Sequence, residues 1–201
     1  MDEGLLVVIS GPSGAGKGTI CKQLLMEMGY LKVSVSATTR KPRQGEAEGS
    51  SYYFIDEEEF INRINKGEFL EYAKVYGNYY GTPKEEVFKQ LKAGNDIILE
   101  IDIQGALQVK KNYPKGVFIF ILPPSLTELK NRIVGRGTDS KEGILRRMEC
   151  AYDELHYAFE YDYVVLNDHV EKATEKIKHI ILAEKNRAIR NKAIISEIRE
   201  K

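Results

Sequence analysis

The stretch VVISGPSGAGKGT, from Val7 to Thr19, sets apolar residues, then glycines, then a lysine in the order of strand, turn and helix. These residue types can hold an anion. Glycine at 11, 14 and 16 lets the backbone turn tightly with no side chain in a phosphate's way. Successive N–H groups and the helix start then point at the charge, and Lys17 adds a mobile cation. Gly11, Gly16 and Lys17 fit the phosphate-loop pattern G-x-x-x-x-G-K-[ST], whereas Gly18 stands where a hydroxyl is usual. Such a hydroxyl often reaches Mg2+. Thr19 offers one a residue later. Because Mg2+ keeps waters and binds substrate phosphates, it is expected to arrive mainly with the nucleotide. The loop residues Gly11, Pro12, Ser13, Gly14, Ala15, Gly16, Lys17, Gly18 and Thr19 are thus assigned to a nucleoside triphosphate. ATPases, GTPases and small-molecule kinases all share this loop, so it names no reaction.

Two further groups could do chemistry. SVSATTRKPRQGEAEGSSYYF (34–54) places Arg40 and Arg43 near tyrosines and hydroxyls. Guanidinium forks take phosphate oxygens in pairs. Further on, Arg132, Arg136, Arg146 and Arg147 flank GTDSKEGI. Arg132 and Arg136 are four apart, so one helical face can present both. Arg146 and Arg147 are adjacent and cannot share a face.

The elements that must position these groups follow from the apolar runs. LLVVIS (5–10), LKVSVS (31–36), DIILEID (96–102), VFIFIL (117–122) and YDYVVLN (161–167) read as strands covered on both faces, as in a parallel sheet. Helical patterns separate them. Ser125 to Glu128 and Asp168 to Glu171 resemble capping boxes, and Pro83 suits a first helical position. The alternation predicts an α/β fold, a parallel sheet flanked by helices. Residues 37–82 break the rhythm and read as a small, partly β insertion with a helix over about 56–66. Residues 136–150 form a second polar insertion. The last thirty residues read as one long charged helix. The expected division is a nucleotide core of 1–36 and 83–201, the insertion at 37–82, and a segment at 136–150 within the core.

Bulk properties bound the partners. The chain has 201 residues, 42% hydrophobic and 30% charged, with a formal net charge of zero. No global electrostatic drive toward nucleic acid or anionic membrane is expected. Cys21 and Cys150 are the only cysteines and fit neither metal spacing nor a disulfide framework. The first apolar run is too short for a signal core or membrane span. A soluble, cytoplasmic protein is expected, with both a monomer and a homo-oligomer open.

With these residues in view, the chain resembles the guanylate kinase family of phosphate-loop proteins. The markers are GPSGAGKGT, SVSATTRKPR, GEAEGSSYYF, GNYYGTP, IDIQG and GRGTDS, spread over nearly the whole chain. The resemblance implies phosphoryl transfer from ATP to GMP, with Mg2+ accompanying ATP, and a nucleotide core, a GMP-binding insertion and a mobile lid. It implies that Ser36, Arg40, Arg43, Tyr52 and Tyr80 hold the GMP phosphate. Glu71 and Thr82 should face the guanine, with Asp102 nearby. It favours Arg147 over Arg146 as the inward lid arginine. Lys17, Arg40, Arg132, Arg136 and Arg147 should carry the charge of transfer, with Arg136→Ala lowering mainly kcat. Family members often have serine at Thr82 and aspartate at Glu100. LND at 166–168 is a candidate edge of the adenine pocket.

The base preference has its own chemistry. Guanine offers N1–H and an amine as donors, which a Glu71 carboxylate can accept. Adenine turns a lone pair at N1 toward that carboxylate. An unpaired buried polar group costs about 1–3 kcal/mol, and a site demanding a polar match discriminates by roughly 10⁴. The acceptor phosphate, with a second pKa of about 6, is already anionic, so no general base is needed and His156, His169 and His179 are not assigned one. Two rivals remain: a guanylate-kinase-like protein-binding module without catalysis, and a kinase for another nucleoside monophosphate.

Overall fold

The computed structural model describes residues 3–75, 77–135 and 141–200. The chain alternates strand and helix. Its first strand, β1 (Leu6–Ser10), is wholly buried and runs through the middle of a five-stranded sheet. The neighbours are β2 (Lys32–Val33), β7 (Ile97–Glu100), β8 (Val117–Leu122) and β9 (Tyr163–Leu166), in the order β2-β7-β1-β8-β9. Each pairing is parallel. Alternate residues of β1 serve opposite faces. Val7 and Ile9 pack with Ile20 and Leu24 of α1 (Lys17–Glu27) and with Ile177 and Ile181 of α7 (Val170–Lys185). Leu6 and Val8 pack with Val87 and Leu91 of α3 (Lys84–Lys92) and with Ala106 and Val109 of α4 (Ile103–Asn112). Helices on both faces explain the near-continuous apolar runs. The crevice at the carboxyl ends of such strands is where ligands bind.

A second sheet lies within 37–83. Its strands β3 (Ala37–Thr38), β4 (Tyr53–Phe54), β5 (Phe69–Val75) and β6 (Asn78–Pro83) run in the order β4-β3-β6-β5. Phe60 of α2 (Glu57–Asn65) stacks on Phe69 at 4.4 Å and on Tyr79 at 5.2 Å between ring centroids, giving this part its own small core. Asp56 caps α2 by accepting the Glu59 N–H. The sheet is tied back to α4, where Gln108 bonds both the N–H and the carbonyl of Tyr72, and Asn112 donates to the Leu70 carbonyl.

A third cluster joins α5 (Leu126–Gly135) to α6 (Lys141–Glu154) through Leu129, Ile133 and Ala151, all fully buried. A 3-10 helix, Leu155–Glu160, follows α6. After α7 comes α8 (Lys192–Arg199). Among the described residues no helix is long and apolar enough to cross a membrane.

Several local expectations are corrected. The strand expected over 31–36 shrinks to Lys32–Val33, both exposed, because the chain leaves the first sheet after the Ser34 N–H bonds Ile98 and enters the second at Ala37. Pro83 is the N-cap of α3, not its first residue, and ends β6. The Ser125 hydroxyl does accept the Glu128 N–H at 3.0 Å. Asp168 instead bonds His169, and His169 caps α7 without a side-chain bond. The long C-terminal helix is two helices. Asn191 donates to the Lys185 and Arg187 carbonyls, ending α7 and turning the chain.

Candidate active site

The turn after β1 is held in a shape that glycine permits. Gly11, Gly14 and Gly16 have φ of 142°, 91° and 95°. Asn167, buried just past β9, donates its amide to the Ala15 carbonyl at 2.7 Å. A Cβ on Gly16 would lie 2.3 Å from that amide nitrogen, so neither backbone nor space allows another residue. Gly14 rests on Leu129 and Ile133, each 3.0 Å from where its Cβ would be. The loop is thus braced from β9 on one side and α5 on the other, before α1 begins at Lys17.

Lys17 folds over this loop, its ammonium donating to the Gly11 and Pro12 carbonyls at 2.6 and 3.1 Å. Burial pushes its pKa below the ordinary lysine value, against the opposing pull of the Glu100, Glu154 and Asp102 carboxylates. Glu100 ends β7 beside the bare Cα of Gly18. A Cβ there would stand 3.3 Å from Glu100 Oε1. The space left by the missing side chain is therefore faced by a carboxylate, whose pKa is raised by burial and held back by Lys17. Thr19, one residue on, is exposed.

Arg132 reaches the same loop from α5. Its Nε donates to Glu128 at 3.0 Å and its Nη2 to the Asn167 carbonyl at 3.2 Å. Its Nη1 lies 3.9 Å from the position of a Gly16 Cβ. On α6, Arg146 is exposed and Arg147 half-buried. Arg136 lies outside the described residues.

Across the crevice, a cavity of about 280 Å³ is lined by Ser36, Tyr52, Glu71, Tyr80, Glu100 and Asp102, among others. Five residues assigned from sequence to the second substrate therefore converge. Glu71 is 8% exposed and lies where the pairing of β5 with β6 shifts register between Phe69 and Tyr72. Such an irregularity re-aims a side chain. The Thr82 hydroxyl donates to Glu71 Oε1 at 2.6 Å. Burial pushes the Glu71 carboxyl up to about 7, the Thr82 bond holding it down and the Asp102 charge raising it. Asp102 is fixed as the N-cap of α4, accepting the Gly105 N–H at 2.8 Å.

Beside Tyr52, which lines the cavity, Arg40 stands with its guanidinium 5.4 Å from the ring centre. Glu46 grips it in two places, at 3.0 and 2.8 Å, and also accepts the Arg43 N–H at 2.7 Å. The Glu46 and Tyr80 contacts raise the pKa of a guanidinium that is always charged. Tyr52 and Tyr80 meet edge to face at 6.1 Å. The Arg43 side chain is exposed, and only its backbone N–H turns inward.

Sequence reasoning missed Glu46 and left Asn167 as a pocket edge. Glu46 had a signal, a carboxylate three residues past Arg43 in a basic loop. Asn167 lies far along the chain from the loop it supports.

The comparisons with known proteins agree in kind. The family model described as "Guanylate kinase" matches residues 3–184. A guanylate kinase of Caldanaerobacter subterraneus subsp. tengcongensis is 61% identical over 198 residues, covering 98% of this chain and 96% of that one. One of Clostridium tetani is 60% identical over 192 residues, covering 96% and 92%. A crystal structure of guanylate kinase from Anaplasma phagocytophilum superimposes with a TM-score of 0.74 at 34% identity, covering 94% of this chain and 90% of that one.

Proposed function

The chain belongs to the guanylate kinase family, and from that premise we propose how its own residues carry out the family's reaction. The enzyme is an ATP:GMP phosphotransferase. ATP places its phosphates on the loop from Gly11 to Thr19, whose N–H groups and helix start face the charge. GMP enters the cavity beside Glu71, with its phosphate toward Arg40, Tyr52, Tyr80 and Ser36. Arg43 is assigned to the same phosphate from the sequence motif, and its exposed side chain must swing inward to serve. One GMP phosphate oxygen attacks the γ-phosphorus. The new O–P bond forms as the bond to the β-phosphate oxygen breaks, giving ADP and GDP.

That acceptor oxygen is already anionic, so the protein supplies alignment and charge rather than a base. Lys17, Arg40, Arg132, Arg136 and Arg147 are the cations assigned to the developing charge. Magnesium bound with ATP would neutralise phosphate charge and orient the β and γ groups. The residues present fit such an ion: Glu100 faces the open side of Gly18, where its carboxylate can hold waters of the ion's shell, and Thr19 offers a hydroxyl nearby. The core, the insertion at 37–82 and the segment at 136–150 divide the work as ATP site, GMP site and lid. Closing the lid excludes water that would otherwise take the phosphoryl group.

The observation that carries this reading is the buried Glu71 carboxylate, held by the Thr82 hydroxyl and lining the same cavity as Asp102 and Glu100. A carboxylate there accepts from guanine N1–H and its amine. It repels the N1 lone pair of adenine. Replacing Glu71 with alanine should lower kcat/KM for GMP by about a hundredfold, as for loss of a charged hydrogen-bonding partner. The dissociation constant of ADP should stay unchanged. An unaltered kcat/KM for GMP would remove Glu71 from guanine recognition.

A further inference from the structure

We propose that α4 is the brace that sets the base specificity of the GMP site, with Gly105, Gln108 and Asn112 as positioning residues that act through Glu71. The proposal deepens the phosphotransferase reading above and rests on it. At Glu71 the second sheet does not hold its own strand in regular pairing. Phe69 pairs with Pro83 and Tyr72 with Gly81, so Leu70 and Glu71 together oppose Thr82 alone. The extra residue bends the strand and re-aims its side chains. β5 is also an edge strand, with β6 on one side only. Its own sheet therefore leaves the backbone around Glu71 weakly tied.

The missing ties come from α4, on the open side. The Gln108 side chain accepts the Tyr72 N–H and donates to the Tyr72 carbonyl, both at 3.1 Å. Asn112, one turn on, donates to the Leu70 carbonyl at 2.7 Å. The Leu70 side chain is fully buried with Ala106 and Val109 of the same helix. Glu71 is thus gripped through its neighbours on both sides. Gly105 is three residues before Gln108 and Asn112 four after, so all three share one helical face. Gly105 completes the seat by what it lacks. A Cβ there would stand 3.0 Å from Glu71 Oε2 and 3.4 Å from Asp102 Oδ1. Its backbone is helical, so space rather than conformation calls for glycine. One carboxylate oxygen is held by the Thr82 hydroxyl, and the other lies over the bare Cα of Gly105. Polar side chains that only covered a sheet edge would serve anywhere along β5. These bracket the one residue of that strand assigned to the base. Guanine sets N1–H and its amine side by side, and a carboxylate takes both only when its two oxygens are aimed at them.

The test compares kcat/KM for GMP and for inosine monophosphate, whose base keeps N1–H but lacks the amine, in Gln108→Ala and Gly105→Ala of the full chain. Each substitution is also combined with Glu71→Ala, and ADP binding is measured by calorimetry. Gln108→Ala should lower kcat/KM for GMP about tenfold, as for weakening a charged hydrogen bond. Inosine monophosphate, with one donor fewer to lose, should fall only about threefold. Gly105→Ala, whose methyl crowds Oε2, should behave alike. The ADP dissociation constant should stay within about twofold in both. With Glu71 already alanine, neither substitution should lower kcat/KM for GMP by more than about a further twofold, because the residue they act through is gone. Gln108→Ala decides, and Gly105→Ala decides in its place should that variant fail to fold. An unchanged kcat/KM for GMP, equal losses for the two nucleotides, or the full loss persisting without Glu71 would overturn the proposal. Glu71→Ala alone separates this failure from that of the reading beneath it. If that variant keeps its kcat/KM for GMP, the guanine assignment fails and the proposal falls with it.

Discussion

The most informative single residue is Glu71, because the proposed guanine contact would couple its protonation to binding. Its carboxyl is pushed up to about 7, chiefly by burial, well above the ordinary glutamate value. Between that ordinary value and about 7, the folded protein holds a proton that the unfolded chain has lost. The stability of the ligand-free protein therefore falls as pH rises through this window. On the proposed reading GMP works in the opposite sense, since guanine's donors require the ionised carboxylate. Binding at pH 7 should therefore expel about half a proton, read by calorimetry in buffers of different ionisation enthalpy. The GMP dissociation constant should be flat above about pH 8 and steepen toward a tenfold rise per unit below 7. Binding without proton release at pH 7 would show that the carboxyl is already ionised there, against the account. Glu71 was reachable from sequence only through the family motif. Taken alone it reads as a half-exposed strand carboxylate, and its burial depends on the register shift in β5. Glu46 shows a different limit. Residue type alone proposes the arginines as phosphate ligands, but the carboxylate gripping Arg40 from six residues away needed the fold of the loop.

At the scale of elements, the site depends on how strands and helices are pinned at their far ends. Asp96, just before β7 and 1% exposed, accepts the Leu5 N–H at 2.8 Å and the Lys185 ammonium at 2.7 Å. One side chain thus links the start of β1, the approach to β7 and the end of α7. Asp96→Ala leaves a buried N–H unpaired and should cost about 3 kcal/mol of unfolding free energy in urea. Activity per folded molecule should be retained. A loss below about 1 kcal/mol would mean that water or another group replaces the carboxylate. Element type was legible where periodicity was long, as in β1, β8 and α7. Boundaries were not. The run 31–36 is apolar enough for one strand, yet the chain crosses between two sheets within it. The C-terminal pattern is helical throughout, yet two asparagine side chains take the carbonyls of Leu182, Lys185 and Arg187 and end α7. A composition-based reading does not see side chains competing for the helix's own bonds.

At the scale of the molecule, two sheets face one crevice, which the proposed reading divides between ATP and GMP. The parallel sheet brings the phosphate loop, Glu100 and Asn167 together at the carboxyl ends of β1, β7 and β9. The second sheet brings Glu71 and Tyr80, with Tyr52 just before β4, to the cavity that Glu100 also lines. The parallel α/β core was legible because buried strands leave apolar runs, and the insertion because it breaks that rhythm. The juxtaposition of the two halves was not, since it depends on long-range ties such as Gln108 and Asn112 of α4 to β5. The central claim is that this crevice moves phosphoryl from ATP to a guanine nucleotide in particular. A coupled assay with ATP against GMP, AMP, CMP and UMP tests it most directly. The account predicts turnover with GMP, and kcat/KM for AMP lower by about 10³ to 10⁴. Comparable turnover with AMP or a pyrimidine nucleotide, or none with any acceptor, would contradict it.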